Sequence, residues 1–585
     1  MKRKFVQIAA LCLSVALLLL SGGGKAAASP LPSSSGDKII RVGLHYGTGA
    51  MEGLNLLNDV GSGFRFGYYD SANRFVELGS TPQKSISVVE TMNVYYGAYN
   101  GYACYHTALT ASAVAVGEYH LQLPGVYGTF AEAQAAASAY PGGFPAYIGG
   151  AFYARVGNYT TRDGAVAAQS NLAAQGVYTE LRGTSEYGVS VVITGTNTIL
   201  FQYDDLGNGT GLGVEPTSLN GEKCTTWSKE RLYNGGFRFE RIKGGKLTVV
   251  NILGLEDYVK GVVPNEMSNS WPLEALKAQA VAARSYALSL GTKHSAHHFD
   301  ICFDVDCQAY YGRAKAGANS DAAVDQTAGQ VAIYNGKVAQ TFYYSSNGGA
   351  SESVSTVWGS NQASYPYLVG KIDPYEAAAN LNNSWTYSIS GASLAAKLRG
   401  IGYNSVGSSI TAIAVASLTD SGNPKQITFT DSSGKNFTID SRYVVGMLSL
   451  RSYRYGFDSA AAQQQPSAAA PSFSVNGATP VSGTDGLYAI DGSGNVVPVG
   501  ADAYVITDSG TSLLGQSGGT TGAGGSGLGG LSSSTGQNGT FTFIGRGWGH
   551  NIGMSQFGAK AMAEQGHTYL QILQFYYTGI TVGYM

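Results

Sequence analysis

Residues 255–291 read LEDYVKGVVPNEMSNSWPLEALKAQAVAARSYALSLG, and the second half of that stretch decides the fold around it. Pro272 suits a first helical turn, and Glu274 favours the positive end of a helix. Leu273, Leu276, Ala280, Ala283 and Ala287 then recur at helical spacing until Gly291 stops the run. Most of that stripe is small, so the helix is expected to pack closely against another element and to be buried. Just upstream, FRFERIKGGKLTVVNIL outlines a hairpin: Phe237, Phe239 and Arg241 share one side, Gly244-Gly245 forms a tight turn, and residues 247–253 return. Strands feeding a buried helix predict an α+β fold.

Towards the N-terminus, residues 39–123 mix short apolar runs with glycine punctuation, as in IIRVGLHYG and FRFGYYD, which predicts strands joined by turns. A helical pattern at about 130–140 precedes the alternating strand AFYARVGNY. TTRDGAVAAQSNLAAQG then reads as a helix opened by Thr or Asp and closed by Gly176. Together these make a small α+β module. Towards the C-terminus, residues 459–539 carry AAQQQPSAAAPS and GQSGGTTGAGGSGLGGLSSSTGQNG, a linker composition. Between those tracts, GLYAIDGSGNVVPVGADAYVITD is expected to form a hairpin. Regular sequence resumes in residues 541–585, so that stretch is expected to pack back onto the body and make the low-complexity tract an insertion.

The 585 residues carry 36 basic and 38 acidic side chains, with only 13% charged, which argues against a nucleic-acid binder needing surplus cations. There are 81 Gly but only 16 Pro, so the chain is neither collagen nor a Pro-rich spacer. The 39 Tyr and 21 Phe supply apolar area for real cores and exclude wholesale disorder. Length alone suggests about two to four domains. Lys2, Arg3 and Lys4, an apolar run over 5–20, and SGGGKAAASP form the three-part pattern of a secretory signal cleaved after Ala28; an uncleaved membrane anchor is the alternative. Cys12 lies within the apolar run and follows Leu11, where lipid attachment would want a small residue. Cys104, Cys224, Cys302 and Cys307 remain, enough for two disulfides but not for a disulfide framework.

Glu266 lies between Pro264 and Met267, near Trp271, in a loop entering the small-faced helix. Apolar company disfavours the ionised carboxyl and raises its pKa, as a general acid at neutral pH requires. A solvated loop glutamate is the alternative on these residues alone.

GVVPNEMSNSWPLEALKAQAVAARSYAL, FDICFDVDCQAYYG, FYYSSNGGASES and GRGWGHNIGMSQFGAKAMAEQG, in that order, resemble the SpoIID/LytB family of cell-wall proteins over about residues 226–581. The resemblance implies a lytic transglycosylase acting on peptidoglycan glycan, best known in engulfment during endospore formation, with Glu266 as its catalytic residue. Ordinary glycoside hydrolysis uses two carboxylates. A lytic transglycosylase can use one: the acid protonates the leaving glycosidic oxygen, and the resulting carboxylate takes a proton from the C6 hydroxyl of the same N-acetylmuramic acid. That oxygen closes on C1, giving a 1,6-anhydro end. Glu256 and Asp257 are expected to be surface or capping groups.

Arg284 lies 18 residues beyond Glu266 on the helix that the glutamate loop enters. It is expected to orient the catalytic carboxyl or hold a substrate oxygen, with a structural ion pair as the alternative, while Gln279 on the same helix either reaches substrate or caps a loop. Tyr344, Ser346 and Asn347 would offer hydrogen bonds to an uncharged glycan, and Gly348-Gly349 would let backbone approach a sugar; a tight turn is the alternative. His550 and Gln556 resemble cleft residues, though Asn551 stands where the family usually has glycine. No cofactor is required for this chemistry. Some family members hold zinc with one histidine and two cysteines, which nominates His298, Cys302 and Cys307 for a structural zinc. A disulfide or two reduced thiols are the alternatives, and no fourth ligand is evident.

FYARVGNYTTRDGAVAAQSNL resembles the second repeat of SPOR domains, which bind peptidoglycan glycan. The expected organisation is a signal over 1–28, a strand-rich region over 38–125, the SPOR-like module over 126–183, the catalytic region over 184–458 and 541–585, and the insertion over 459–540. The expected setting is outside the cell or in the wall, with a membrane contact only through an uncleaved leader. Expected partners are glycan strands and a cell-wall amidase or endopeptidase. The family also includes non-catalytic amidase enhancers, which is the alternative function; a wall-bound structural protein is a third.

Overall fold

The computed structural model describes residues 38–457 and 533–584 apart from 100, 110–112, 292, 380–382 and 537–538, together with short strand pieces between 472 and 513. The expected signal and most of the low-complexity tract lie outside the described residues. Among the described residues no helix is long and apolar enough to cross a membrane. The fold is mixed α and β and divides into two compact units, one built on Ala28–Val331 and the other on Thr341–Val582.

In the N-terminal unit, alternating aromatic and aliphatic residues build two large sheets. The seven-stranded sheet runs, edge to edge, Ile301–Cys302, Ile39–His45, Thr248–Gly254, Gly236–Glu240, Leu212–Thr217, Gly63–Tyr69 and Phe75–Thr81. Phe64, Phe66, Phe237 and Phe239 from this sheet are fully buried, and Phe66 stacks on Phe201 of the ten-stranded sheet at 5.5 Å. The strand-rich N-terminal region therefore does not stand apart. Ile39–His45 pairs with Thr248–Gly254, and Gly53–Leu57 sits inside the ten-stranded sheet. The expected hairpin is Gly236–Glu240 with Thr248–Gly254, but its turn falls one residue early: Lys243 and Gly244 take φ of 53° and 71°, and Gly245 does not.

One end of the ten-stranded sheet is the expected small module, and it begins earlier than its composition suggested. Strands Tyr119–Gln122, Gly143–Ile148, Ala151–Tyr159 and Glu180–Arg182 lie in the order fourth, first, third, second, with antiparallel neighbours. Helices α1 (Phe130–Ser138) and α2 (Arg162–Ala173) connect them and pack on one face. Thr129 and Thr161 cap these helices by accepting the N–H groups of Glu132 and Gly164, both at 3.2 Å. Gly176, at φ 80°, follows α2 as expected.

Helix α3 (Leu255–Glu266) grows directly out of strand Thr248–Gly254, and α4 (Leu273–Ser289) follows. The alanine-rich stripe does more than face one neighbour: from Ala275 to Leu288 every residue except Lys277 is buried. A helix covered on all sides needs small residues to let its neighbours close in. Those neighbours include α3 and α5 (Ala318–Gln326).

The C-terminal unit contains α6 (Val354–Trp358), α7 (Pro374–Ala379), α8 (Gly391–Gly400), α9 (Ser441–Leu448), α10 (Gln556–Glu564) and α11 (Tyr569–Tyr576). Strand Thr540–Arg546, which follows the low-complexity tract, lies between Ser384–Ser390 and Arg454–Phe457, which precede it. The chain thus returns to the same sheet. Within the tract, Tyr488–Ile490 pairs with Val496–Pro498 and Tyr504–Thr507 with Gly510–Leu513, two short antiparallel pairs where one hairpin was expected.

Candidate functional site

The position of Glu266 is set by what holds the end of α3. Gly261 lies against the Tyr310 ring so closely that a Cβ would sit 2.4 Å from it. Tyr310 stacks on Tyr258 of α3 at 5.0 Å and donates its hydroxyl to Asn251 Oδ1 at 2.6 Å. Tyr258 donates to Gln308 Oε1 at 2.7 Å, and Gln308 donates to the carbonyl of Ala283 in α4 at 3.2 Å. Asn265 donates to the carbonyls of Gly261 and Gly312, at 2.7 and 3.2 Å. The loop over 308–312 is thereby bolted to both helices.

Glu266 is the last residue of α3, not a loop residue as the sequence suggested; Pro264 does not end the helix because these bonds hold its final turn. The Glu266 side chain is partly exposed, and its Oε1 accepts the Ala309 N–H at 3.2 Å. Tyr311, which the sequence reading missed, belongs to the same surroundings. Burial raises its phenol above the ordinary range, and the charge of Glu266 adds to that effect. The Arg231 guanidinium lies over the Tyr311 ring at 4.5 Å.

Arg284 does not serve Glu266. It is fully buried, and its Nε and Nη2 donate to Glu256 at 2.8 and 2.6 Å, while Nη1 donates to the Gln330 carbonyl at 2.9 Å. Glu256 also accepts the Gly329 N–H at 3.1 Å, so it is neither a surface group nor only a cap. The structural ion pair is the arrangement found. Gln279 is likewise fully buried within α4, which removes it from any surface that could meet substrate.

The two thiols sit beside a histidine other than the expected one. His294 Nε2 lies 3.2 Å from Cys307 Sγ, and Cys302 Sγ lies 3.2 Å from Asp304 Oδ1. The donor atoms of His294, Cys302, Asp306 and Cys307 all fall within 4.8 Å of one another. A tetrahedral zinc with Zn–S near 2.3 Å and Zn–N near 2.0 Å separates its ligand atoms by roughly 3.3–3.8 Å, so the donor set fits that ion in type and number, and atoms within 4.8 Å of one another would close on it by up to about 1 Å.

His298 takes φ 62° and engages Glu240 Oε1 at 2.7 Å instead, which takes it out of the cluster. Asp306, adjacent to Cys307 in FDVDC, would supply the fourth donor that the sequence did not reveal. All four described cysteines are unpaired. The hydrogen bond between the two thiols, reinforced by burial, pushes Cys302 up, and the same bond pulls Cys307 down.

The remaining expected residues belong to the C-terminal unit. Strands Tyr343–Tyr344 and Met554–Ser555 pair in parallel, and Ser346 bridges Trp548, so the SSNGG and GRGWGHNIGMSQ segments meet. Their side chains converge on two buried carboxyls of α7 and its approach. Glu376 accepts hydrogen bonds from the Ser346 and Ser555 hydroxyls and from the N–H groups of Asn347 and Gly348, the last two at 3.0 and 2.9 Å. Asp373 accepts from Asn347 and Tyr576 at 2.7 and 2.5 Å. Burial raises the pKa of both, and for Glu376 the neighbouring Asp373 adds to the shift.

Tyr344, Ser346 and Asn347 are therefore buried structural groups and not donors to a glycan. Gly348 and Gly349 are required by their own chain: both take positive φ, and a Cβ on Gly348 would lie 2.7 Å from the Arg546 backbone. Gln556 opens α10 and is only 7% exposed. His550 Nε2 faces the Tyr343 carbonyl at 3.1 Å while Nδ1 accepts the Ile552 N–H at 3.1 Å. Burial lowers its pKa to about 4, so the ring is a neutral structural linker. Asn551 takes φ 60°, the conformation for which glycine is favoured and asparagine is tolerated. Its side chain adds bonds to the carbonyls of Asn347 and Ala350 at 3.3 and 3.1 Å.

Comparison with known proteins places the Glu266 helix and the thiol cluster inside one matched region. Residues 243–334 match the SpoIID family, described as Stage II sporulation protein. The chain is 32% identical over 332 residues to the Amidase enhancer of Bacillus subtilis strain 168, covering 55% of this chain and 40% of that protein. It is 31% identical over 142 residues to Stage II sporulation protein D of the same organism, covering 22% of this chain and 40% of that protein. It is 45% identical over 125 residues to an uncharacterised protein of Brachyspira hyodysenteriae, covering 21% of this chain and 33% of that one. The chain thus spans less than half the length of these relatives.

Proposed function

Because the chain belongs to the SpoIID/LytB family, we propose that it is an exported peptidoglycan-remodelling enzyme, a lytic transglycosylase that cleaves between N-acetylmuramic acid and N-acetylglucosamine. The observation that carries this reading is Glu266: a partly exposed carboxyl at a rigid helix end, one oxygen fixed by the Ala309 N–H, in the matched region. In its acid form Glu266 gives its proton to the leaving glycosidic oxygen as the bond to C1 breaks. The carboxylate so formed removes the proton of the C6 hydroxyl, and that oxygen bonds to C1. The proton lent to the leaving sugar is thereby recovered, and no water is consumed. His294, Cys302, Asp306 and Cys307 would hold a zinc ion that braces the loop carrying Ala309; its contribution is structural.

A second reading is favoured by the relative named Amidase enhancer, whose match covers more of this chain than the others: a non-catalytic protein that binds wall glycan and stimulates an amidase. An amidase assay separates the two. Purified protein, wild type and Glu266→Gln, is added to a cell-wall amidase acting on intact peptidoglycan. The enzyme reading expects glycan release that depends on Glu266 and needs no amidase. Equal stimulation by both proteins, with no glycan release by either alone, supports the enhancer instead.

A further inference from the structure

The loop that carries the two thiols is not held by the matched residues 243–334 alone. Strand Ile39–His45, far upstream, runs parallel to Ile301–Cys302, with Val42 opposite Ile301 and Gly43 opposite Cys302. The Asp300 N–H donates to the Arg41 carbonyl at 3.0 Å, and the Phe303 N–H to the Gly43 carbonyl at 3.3 Å. Arg41 closes the same seam from its side chain, with Nη2 and its own N–H on the Asp300 carboxylate at 2.5 and 2.9 Å. The upstream strand thereby fixes the backbone on both sides of Cys302.

Side chains follow the same arrangement. The Phe299 ring fills the place of a side chain at Gly43, where a Cβ would lie 2.3 Å from it. Phe299 is buried and stacks on His294 at 5.0 Å, with the rings 25° apart. Tyr46, the first residue after the strand, packs against both: its ring meets Phe299 edge-on at 4.8 Å and His294 at 5.9 Å. The His294 imidazole is boxed by these two rings with Nε2 towards Cys307. The Tyr46 hydroxyl reaches the other thiol. It hydrogen-bonds to Cys302, and burial, with the charge of Cys302 adding, holds the phenol above its ordinary range, so it keeps its proton to donate. Once Cys302 is ionised, its 3.2 Å contact with Asp304 Oδ1 turns from a hydrogen bond into a repulsion. Lys293, 2.9 Å from Asp306, offsets negative charge on the Asp306–Cys307 side. On the Cys302 side the side chain placed to do so is Tyr46.

We propose that Tyr46 is a positioning residue for the metal: its hydroxyl donates to the zinc-bound Cys302 thiolate and its ring holds the His294 imidazole, so a residue outside the matched region sets how tightly zinc is held. A thiolate on zinc keeps surplus negative charge, and a hydrogen bond from a neighbouring group both shares that charge and orients the ligand. The proposal rests on the zinc reading given above and on no other part of the proposed function. Cys307 is followed by Gln308 and Ala309, which bond to Tyr258 and Glu266, so Tyr46 acts on the surroundings of Glu266 only through the metal loop.

The test is the zinc affinity of the full chain, measured by competition with a chromophoric chelator, together with the absorption spectrum of the cobalt-substituted protein. Tyr46→Phe keeps the ring and removes the donor. It should bind zinc about tenfold more weakly, the lower end of what a lost outer-sphere partner costs. It should also move the thiolate-to-cobalt charge-transfer band to longer wavelength, because a sulfur without its hydrogen bond gives up charge more readily. Tyr46→Ala, which frees the His294 ring as well, should lose more affinity; Tyr46→Phe carries the test if that variant does not fold. Arg41→Ala loosens the same strand at a partly exposed ion pair without touching a donor atom, and should leave the band in place. Unchanged affinity or an unmoved band in Tyr46→Phe overturns the proposal. The same band shift in Arg41→Ala overturns it too, since that marks general loosening. A wild-type chain that takes up no zinc refutes the zinc reading and this proposal together, whereas failed glycan cleavage with the Tyr46 effects intact would refute only the proposed enzymatic activity.

Discussion

Removing either partner of the Glu256–Arg284 pair should destabilise the N-terminal unit without touching the chemistry of Glu266. Arg284 is fully buried with three of its donors engaged, while the Glu256 side chain retains 22% exposure. Breaking a buried pair by removing one partner costs about 3–5 kcal/mol. The solvent left to Glu256 puts Arg284→Met at the lower end of that range, about 3 kcal/mol. Glu256→Gln leaves a fully buried guanidinium without its counter-charge and should cost as much or more. With a urea dependence of about 3 kcal/mol per molar, either change should lower the unfolding midpoint by about 1 M.

The assay is urea unfolding of the two single variants, the double variant, Glu266→Gln and the Glu266→Gln/Arg284→Met pair. The Glu256–Arg284 cycle should give a coupling of about 2 kcal/mol, and Glu266 and Arg284 should be additive within about 0.5 kcal/mol. Coupling of Arg284 to Glu266 above that level, or none to Glu256, would refute the reasoning.

Asn551→Gly should be better tolerated than Asn551→Ala, by about 1 kcal/mol in thermal or urea unfolding, because the position takes φ 60°; equal losses would show that backbone conformation is not the reason. His550 should titrate near pH 4 in the folded chain by NMR, against about 6.5 when unfolded. Between those values the unfolded state binds more protons, so His550's contribution to stability is full above about pH 6.5 and is lost as the pH falls towards 4; a folded midpoint near 6.5 contradicts this. Metal analysis of the purified chain should find one zinc per molecule, lost in Cys302→Ser and His294→Ala but kept in His298→Ala. Retention in His294→Ala with loss in His298→Ala would reverse the ligand assignment.

The elements most legible in the sequence were those with local signatures: the capped helices α1 and α2, the hairpin at Gly236–Glu240, and α4 with its small face. Periodicity and capping report on neighbours a few residues away, and those contacts are local. Partnership across the chain was less legible. Arg284 finds Glu256 and not Glu266, because α3 leaves its strand at Leu255 and carries Glu256 in its first turn beside α4. Nothing in the spacing of 18 residues between Glu266 and Arg284 encodes that choice.

The SSNGG segment was read for the hydrogen bonds that its polar residues could give a sugar, yet those bonds are taken by Glu376 and Asp373, some 30 residues on in PYEAAA and its approach. A polar motif next to two glycines serves a buried carboxyl as readily as a ligand. His294 was passed over for His298 because sequence distance favoured the nearer residue; the left-handed turn at His298 swings that side chain to Glu240. Asn551 is the reverse case, a departure from the family pattern whose positive φ the sequence could have suggested.

The central claim is that Glu266 both gives and recovers a proton at one glycosidic bond. It is tested most directly by mass spectrometry of the fragments that the purified chain releases from glycan strands stripped of stem peptides. The account predicts muramic-acid ends one water lighter than hydrolysis would give, absent with Glu266→Gln. Fragments carrying ordinary reducing ends, or the same products from both proteins, would contradict it.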